Sequence, residues 1–122
     1  MAEIRYTKTH QWIRRDGDAY TVGITDYAQE QLGNVIYVSL PAVGRRYKQQ
    51  DEAAVVESMK VASDVYMPAA GEITEINMEL NTEPSLVNAD PEGRGWFFKV
   101  KPSSPEQFDD LMDEAAYKAS LA

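Results

Sequence analysis

Apolar and polar residues alternate along much of this chain, and the places where the period changes divide it into elements. Trp12 and Ile13, then Tyr20, Val22 and Ile24 spaced by Thr21 and Gly23, follow the two-residue period of a half-buried hairpin. Asp16-Gly17 between them is a strong turn signal. Over residues 25–33 the period lengthens: Tyr27, Ala28, Gln31 and Leu32 make a helical stripe, Thr25 or Asp26 is placed to cap it, and Gly33 suits a left-handed stop. Residues 34–40 alternate again, which assigns Val35, Tyr37 and Ser39 to one face and Ile36, Val38 and Leu40 to the other, before Pro41 ends the strand.

Residues 52–58 and 61–67 predict two antiparallel strands with Lys60 at the tip between them. The Ala53-Ala54-Val55-Val56 run implies burial on both faces. Pro68 and Gly71 stop and turn the chain, and residues 72–77 lead back as a strand with Ile73 and Ile76 as its apolar members. From 78 to 95 the periodicity fades into Asn, Pro, Asp and Gly, so turns are expected there with a brief helix near 85–88. Residues 95–101 predict a closing strand with Trp96, Phe98 and Val100 inward against Phe97, Lys99 and Lys101. Ser104-Pro105-Glu106-Gln107 reads as a capping box, and Phe108, Leu111, Met112, Ala115 and Ala116 continue as the apolar stripe of one helix over about 105–119.

A chain of 122 residues is expected to form one domain, 1–122, with its core in about 5–101. Twelve Lys and Arg against twenty Asp and Glu give a formal charge of -8, which disfavours nucleic acid and favours partners with basic faces. The basic run Gly44-Arg45-Arg46-Tyr47-Lys48 is the exception, and it reads as a solvated turn. Without cysteine there is neither a disulfide framework nor a thiolate zinc site. The first twelve residues carry no apolar leader and no membrane-length run follows, so the expectation is a soluble cytoplasmic protein, or a mature form whose targeting segment has been removed.

Little in the chain suggests intrinsic catalysis. The single histidine, His10, lies in a polar stretch and reads as a surface residue rather than a catalyst or ligand, and no nucleophile elbow, P-loop or dinucleotide fingerprint is present. Asp109, Asp110, Asp113 and Glu114 read as a solvated helix face. Lys60 is the side chain the pattern singles out, because a hairpin tip holds its amine away from the body of the domain. Many exposed lysines serve only solubility; the informative feature is the composite of Glu57, Ser58, Met59 and Lys60 with Asp64, Pro68 and Gly71. Such an amine is almost wholly protonated near neutrality, so an enzyme must bring the activated acyl group, while tight strand pairing offers the amine in one orientation.

That composite, E-S-x-K-x-x-S-D-x-Y-x-P-x-x-G-E, resembles the lipoyl attachment region of glycine cleavage system H proteins, and more distantly the biotinyl and lipoyl carrier domains. The resemblance continues through Gly23-Ile24-Thr25-Asp26-Tyr27-Ala28-Gln29, Leu32-Gly33, Leu40-Pro41 with Gly44, Leu86-Val87-Asn88, Gly95-Trp96 and Lys99-Val100-Lys101-Pro102. It implies a mainly β fold with small helical additions, a flattened barrel or sandwich of the biotinyl/lipoyl-carrier (hybrid motif) type with a C-terminal helix. It also implies lipoate in amide linkage on Lys60, recognition of the attachment turn through Glu57, Ser58 and Asp64, and an arm-docking surface at Tyr27, Ser63 and Asp64. The implied partners are the pyridoxal-phosphate P protein that decarboxylates glycine, the T protein that passes the one-carbon unit to tetrahydrofolate, and the L protein that reoxidises the arm. A lipoate ligase or octanoyl/lipoyl transferase would load the lysine, and a shuttling carrier is expected to be a monomer.

Three departures from the family pattern bear on this. Gln11 stands where glutamate commonly precedes the tryptophan, Met59 where valine is usual and Val61 where alanine is usual. Met before the lysine is also a biotin-carrier feature, but the second methionine after it is missing, and Ser63-Asp64 favours lipoyl. A biotin carrier of a carboxylase, an H-like lipoate relay and an unmodified interaction domain are the alternatives.

Overall fold

The computed structural model describes residues 3–121, which form two antiparallel sheets with short helices around them. In chain order the elements are β1 (Glu3–Tyr6), β2 (Gln11–Asp16), β3 (Ala19–Ile24), α1 (Asp26–Leu32), β4 (Val35–Ser39), β5 (Arg46–Tyr47) and β6 (Glu52–Ser58). Then follow β7 (Ala62–Tyr66), β8 (Gly71–Ile76), α2 (Glu79–Thr82), α3 (Leu86–Ala89), β9 (Phe98–Pro102), α4 (Glu106–Asp109) and α5 (Glu114–Leu121). One sheet has the order β1-β2-β3-β9-β8-β5 and the other β4-β6-β7. Ile13, Val22, Ile73, Phe98 and Val100 from the first pack in one core with Val35, Val38, Ala54, Val56 and Val65 from the second, as in a sandwich whose inner faces interdigitate.

The β2–β3 hairpin turns at Gly17, whose φ of 66° is left-handed. α1 begins where the period changed: Thr25 caps it through its hydroxyl, and Gly33, with φ 79°, ends it. Strands β1 and β5 were not expected from the pattern. The latter lies in the basic segment read as a solvated turn, where Arg46 and Tyr47 pair with Glu72 and Gly71 of β8.

Register shifts correct the simple alternation in β4 and β8, and a third falls in the β6–β7 ladder between Glu52 and Ala54. In β4 the register slips between Val35 and Tyr37, so Val35 and Val38, three apart, both reach the core. Ile36 and Tyr37 both turn outward instead of facing opposite ways, at 55% and 56% exposure. In β8 the same device between Ile73 and Glu75 sets Ile73 against Val100 and Ile76 against Phe98. The closing strand also differs from expectation, because it starts at Phe98: Phe97 and Phe98 are both fully buried, while Trp96 is only half-buried.

The single helix expected over about 105–119 is two helices, α4 and α5, separated by residues 110–113. Phe108 belongs to the main core, whereas Tyr117 joins Tyr6 and Trp12 in a second cluster on the other side of the large sheet. A straight helix does not bury both, and the break lets Met112 exchange backbone hydrogen bonds of 2.8 and 3.1 Å with Tyr6. The expected capping box does not form. No side chain caps α4, and the Gln107 amide oxygen instead accepts from the Ala70 N–H at 2.7 Å. Asp113, read as part of a solvated acidic face, accepts from Ala116 N at 2.8 Å in the first turn of α5.

Trp12 lies directly across from Gly23, is buried, and donates its indole N–H to Pro91 O at 3.0 Å. A Cβ on residue 23 would sit 2.8 Å from the indole ring, which this bond keeps from swinging aside. Gly23→Ala is therefore expected to lower stability by about 1–3 kcal/mol, the usual cost of overpacking. Urea unfolding measures it, and an unchanged midpoint would mean that the indole yields freely.

Candidate functional site

Lys60 occupies the exposed tip of the β6–β7 hairpin. Two-residue hairpin turns usually need positive φ at one or both central residues, yet neither Met59 nor Lys60 has it. Ser58 supplies an alternative. Its N–H donates to Val61 O at 2.8 Å, and its buried hydroxyl accepts from Lys60 N at 3.2 Å and Val61 N at 3.1 Å. The side chain thus takes the place of a backbone carbonyl in closing the turn. Met59 N donates to Asn34 O at 3.1 Å, which ties the tip to the neighbouring β4 edge.

The lysine stem rests over Gly33, where a Cβ would stand 3.3 Å from Lys60 Cε. Asn88, on α3, fixes that support: its amide N–H donates to Gly33 O at 2.8 Å and to Gln29 Oε1 at 3.0 Å, and its Oδ1 accepts from Val35 N at 2.8 Å. Asn88 carried no role in the sequence reading. Its signals in the sequence are its place in the matched Leu86-Val87-Asn88 segment and its being the one polar residue of the otherwise apolar α3.

Beside the hairpin, between β7 and α1, lies a cleft of about 370 Å³. Tyr27, Ser63 and Asp64 all line it, with His10, Gln11 and Leu32 among their neighbours and Val56, Val61 and Val65 supplying apolar surface. β7 is an edge strand, so consecutive residues Ser63 and Asp64 both border this wall. Glu57 lies elsewhere, exposed on the central strand opposite Tyr37 and Ala62. Ser58, expected to be part of a recognition surface, is buried and engaged within its own turn.

Gln11 is also buried. Its carbonyl oxygen accepts from the Thr7 hydroxyl at 2.9 Å and from the Thr9 hydroxyl, and its amide N–H donates to Thr9 O at 2.8 Å. These bonds engage both ends of the amide. His10, expected at the surface, is half-buried with φ 69°; its ring lies 4.7 Å from that of Tyr27 and its Nδ1 meets the Tyr117 hydroxyl at 2.8 Å. Tyr117 in turn reaches the Thr25 hydroxyl at 2.7 Å, so a hydrogen-bonded chain joins α5, the cap of α1 and the cleft. Burial lowers the His10 pKa and raises that of Tyr117. Tyr6, stacked on Tyr117 at 4.7 Å, is pushed up to about 12, first by burial and then by Glu92, Glu114 and Tyr117. Among the described residues no group of three or more His, Cys, Asp or Glu is arranged to hold a metal, and no helix is long and apolar enough to cross a membrane.

A sequence model described as "Glycine cleavage H-protein" matches residues 4–122. The chain belongs to that family. It is 53% identical to the glycine cleavage system H protein of Xanthobacter autotrophicus over 99% of this chain and 97% of that one. Its identity to the H protein of Methylocella silvestris is 55%, over 99% and 97% of the two chains. The crystal structure of an H protein from Mycobacterium marinum superposes with a TM-score of 0.90 at 33% identity, covering 98% of this chain and 96% of that one. The family assignment and this neighbour agree with the mainly antiparallel β architecture and C-terminal helical segment described above.

Replacing Ser58 by Ala removes the acceptor of two turn amides. Exchange at Lys60 and Val61 should speed about five- to tenfold, the worth of one hydrogen bond of about 1 kcal/mol. Amide exchange by NMR tests this, and full protection in the variant would place the hold on the turn elsewhere. His10 gives a pH dependence. Its folded pKa lies below the unfolded value of 6.5, so its contribution is fully present above that value and is lost as pH falls through the folded pKa. Urea midpoints should therefore drop between pH 7 and 5, with a shallower slope for His10→Gln; parallel slopes would show that other groups dominate.

Proposed function

We propose that the chain is a non-catalytic lipoyl carrier of the glycine cleavage system, with lipoate joined through an amide to Lys60. The observation that carries this reading is a lysine exposed at the tip of a side-chain-closed hairpin in a chain of the H-protein family. Once bound to Lys60, a lipoyl group would supply a disulfide able to accept the aminomethyl group of glycine by reductive transfer. All other requirements fall on the chain's own residues.

Ser58 holds the turn so that the amine leaves it in one direction, and Gly33 leaves room for the lysine stem. The cleft beside the hairpin has the composition a tethered arm needs, with Val56, Val61 and Val65 as apolar surface and Ser63 and Asp64 as polar rim. Tyr27 and Asp64 stand on opposite walls, and an arm folded between them would be withdrawn from water. Asp64 offers a negative charge to a cationic cargo, whereas the engaged amide of Gln11 offers none. The partners on this reading are the P, T and L proteins, and tethering keeps the cargo at high effective concentration beside each.

Intact-mass measurement after incubation with lipoate ligase, lipoate and ATP tests the assignment. One lipoyl adduct is expected on the wild-type chain, none on Lys60→Ala, and none when Met59→Lys is added to that variant, because position 59 is tied to Asn34 on the β4 side and directs its side chain away from that of residue 60. A biotin adduct in cells supplied with both cofactors, or modification of Lys60→Ala, would overturn it.

A further inference from the structure

The bulge in β4 leaves a surface that the carrier reading does not use. Ile36 and Tyr37 are consecutive, apolar and more than half exposed, and Met59, next to Lys60, is 75% exposed. They are contiguous: Met59 N–H reaches Asn34 O, Tyr37 lies opposite Glu57, and Val35 opposite Ser58. The patch flanks the turn on its β4 side, while the cleft opens on its β7 side, at the other edge of the same sheet. Protection of the edge against strand pairing accounts for a bulge and is served equally well by charged residues. It does not account for Ile and Tyr in water.

We propose that Ile36, Tyr37 and Met59 form the docking surface for the acyl-transferring enzyme that modifies Lys60, and that this enzyme meets them with an apolar face rimmed by basic residues. The inference rests on the carrier reading. Proximity selects the occupant: bond formation at Nζ requires the loading enzyme to close over the residues flanking the lysine, and Met59 is its immediate neighbour. Glu57, set between Tyr37 and Ala62 on the paired strands, and the net charge of -8 supply the complement to a basic rim. In the reaction the amine attacks the carbonyl of an activated acyl donor, a thioester or an acyl adenylate. The C–N bond forms, the bond to the thiol or AMP breaks, the nitrogen's surplus protons pass to a base or the leaving group, and no redox change occurs.

The test is the initial rate of lipoylation of Ile36→Thr/Tyr37→Thr by lipoate ligase with lipoate and ATP, followed by intact mass. Thr preserves strand propensity at exposed positions, and urea unfolding checks that the variant is folded. The expected result is a fall of about tenfold or more in kcat/KM, carried mainly by KM, as for loss of central interface residues. After complete modification with excess ligase, exchange of labelled bicarbonate into glycine with the P protein should match wild type. A folded variant acylated at the wild-type rate overturns the docking surface alone. Wild-type acylation with impaired exchange assigns the patch to a glycine-cleavage enzyme and likewise overturns it. A wild-type chain that accepts no acyl group removes the carrier reading and this proposal together.

Discussion

The position of the one singled-out amine depends on how β6 is paired on both sides, to β4 through the bulge at Ile36 and to β7 without interruption from Ala54 to Glu57. Val56 faces Val38 on one neighbour and Ser63 on the other, and this pairing delivers Ser58 to the turn with its hydroxyl inward. A slip by one residue would exchange the inner set Ala54, Val56 and Ser58 for Val55 and Glu57, which would bury a carboxylate and leave the turn amides without their acceptor. The core therefore fixes the geometry of the tip. Burial of valines stabilises the register, and the register places the serine.

The back of the large sheet makes a second demand on the chain. Tyr6, Trp12 and Tyr117 form their own cluster there, and the Tyr117 hydroxyl extends it to His10, which lines the cleft, and to Thr25, the cap of α1. The end of the chain is thus joined to the wall on which Tyr27 stands, although more than eighty residues separate them in sequence. The break between α4 and α5 follows from this demand, since Phe108 and Tyr117 are claimed by cores on opposite sides of the sheet.

The elements legible in the sequence were those set by local chemistry. Thr25 and Gly33 bounded α1, Asp16-Gly17 turned the first hairpin, and the two strands around Lys60 lie within a residue of their expected ends. What escaped was set by pairing at a distance. Alternation cannot announce a bulge, so Ile36 was assigned to the same face as Val38 and Tyr37 to that of Val35. A periodic stripe cannot reveal that its members belong to two cores, so the last helix was drawn unbroken. His10 looked like a surface residue because its partner is Tyr117, and Asn88, placed in the brief helix near 85–88, showed no role because its bonds run to Gly33 and Val35.

The two edges of the small sheet differ in shape and polarity. On the β7 side the wall is concave and mixed in polarity, with Ser63 and Asp64 beside valines; on the β4 side the surface is apolar and exposed. A concave wall suits something small that returns to it, and an exposed apolar face suits a large surface that closes once and leaves. Because β6 lies between them, a partner covering the β4 edge leaves the β7 wall open. On the carrier reading proposed above, loading of Lys60 and sheltering of its cargo therefore draw on different residues of the same small sheet.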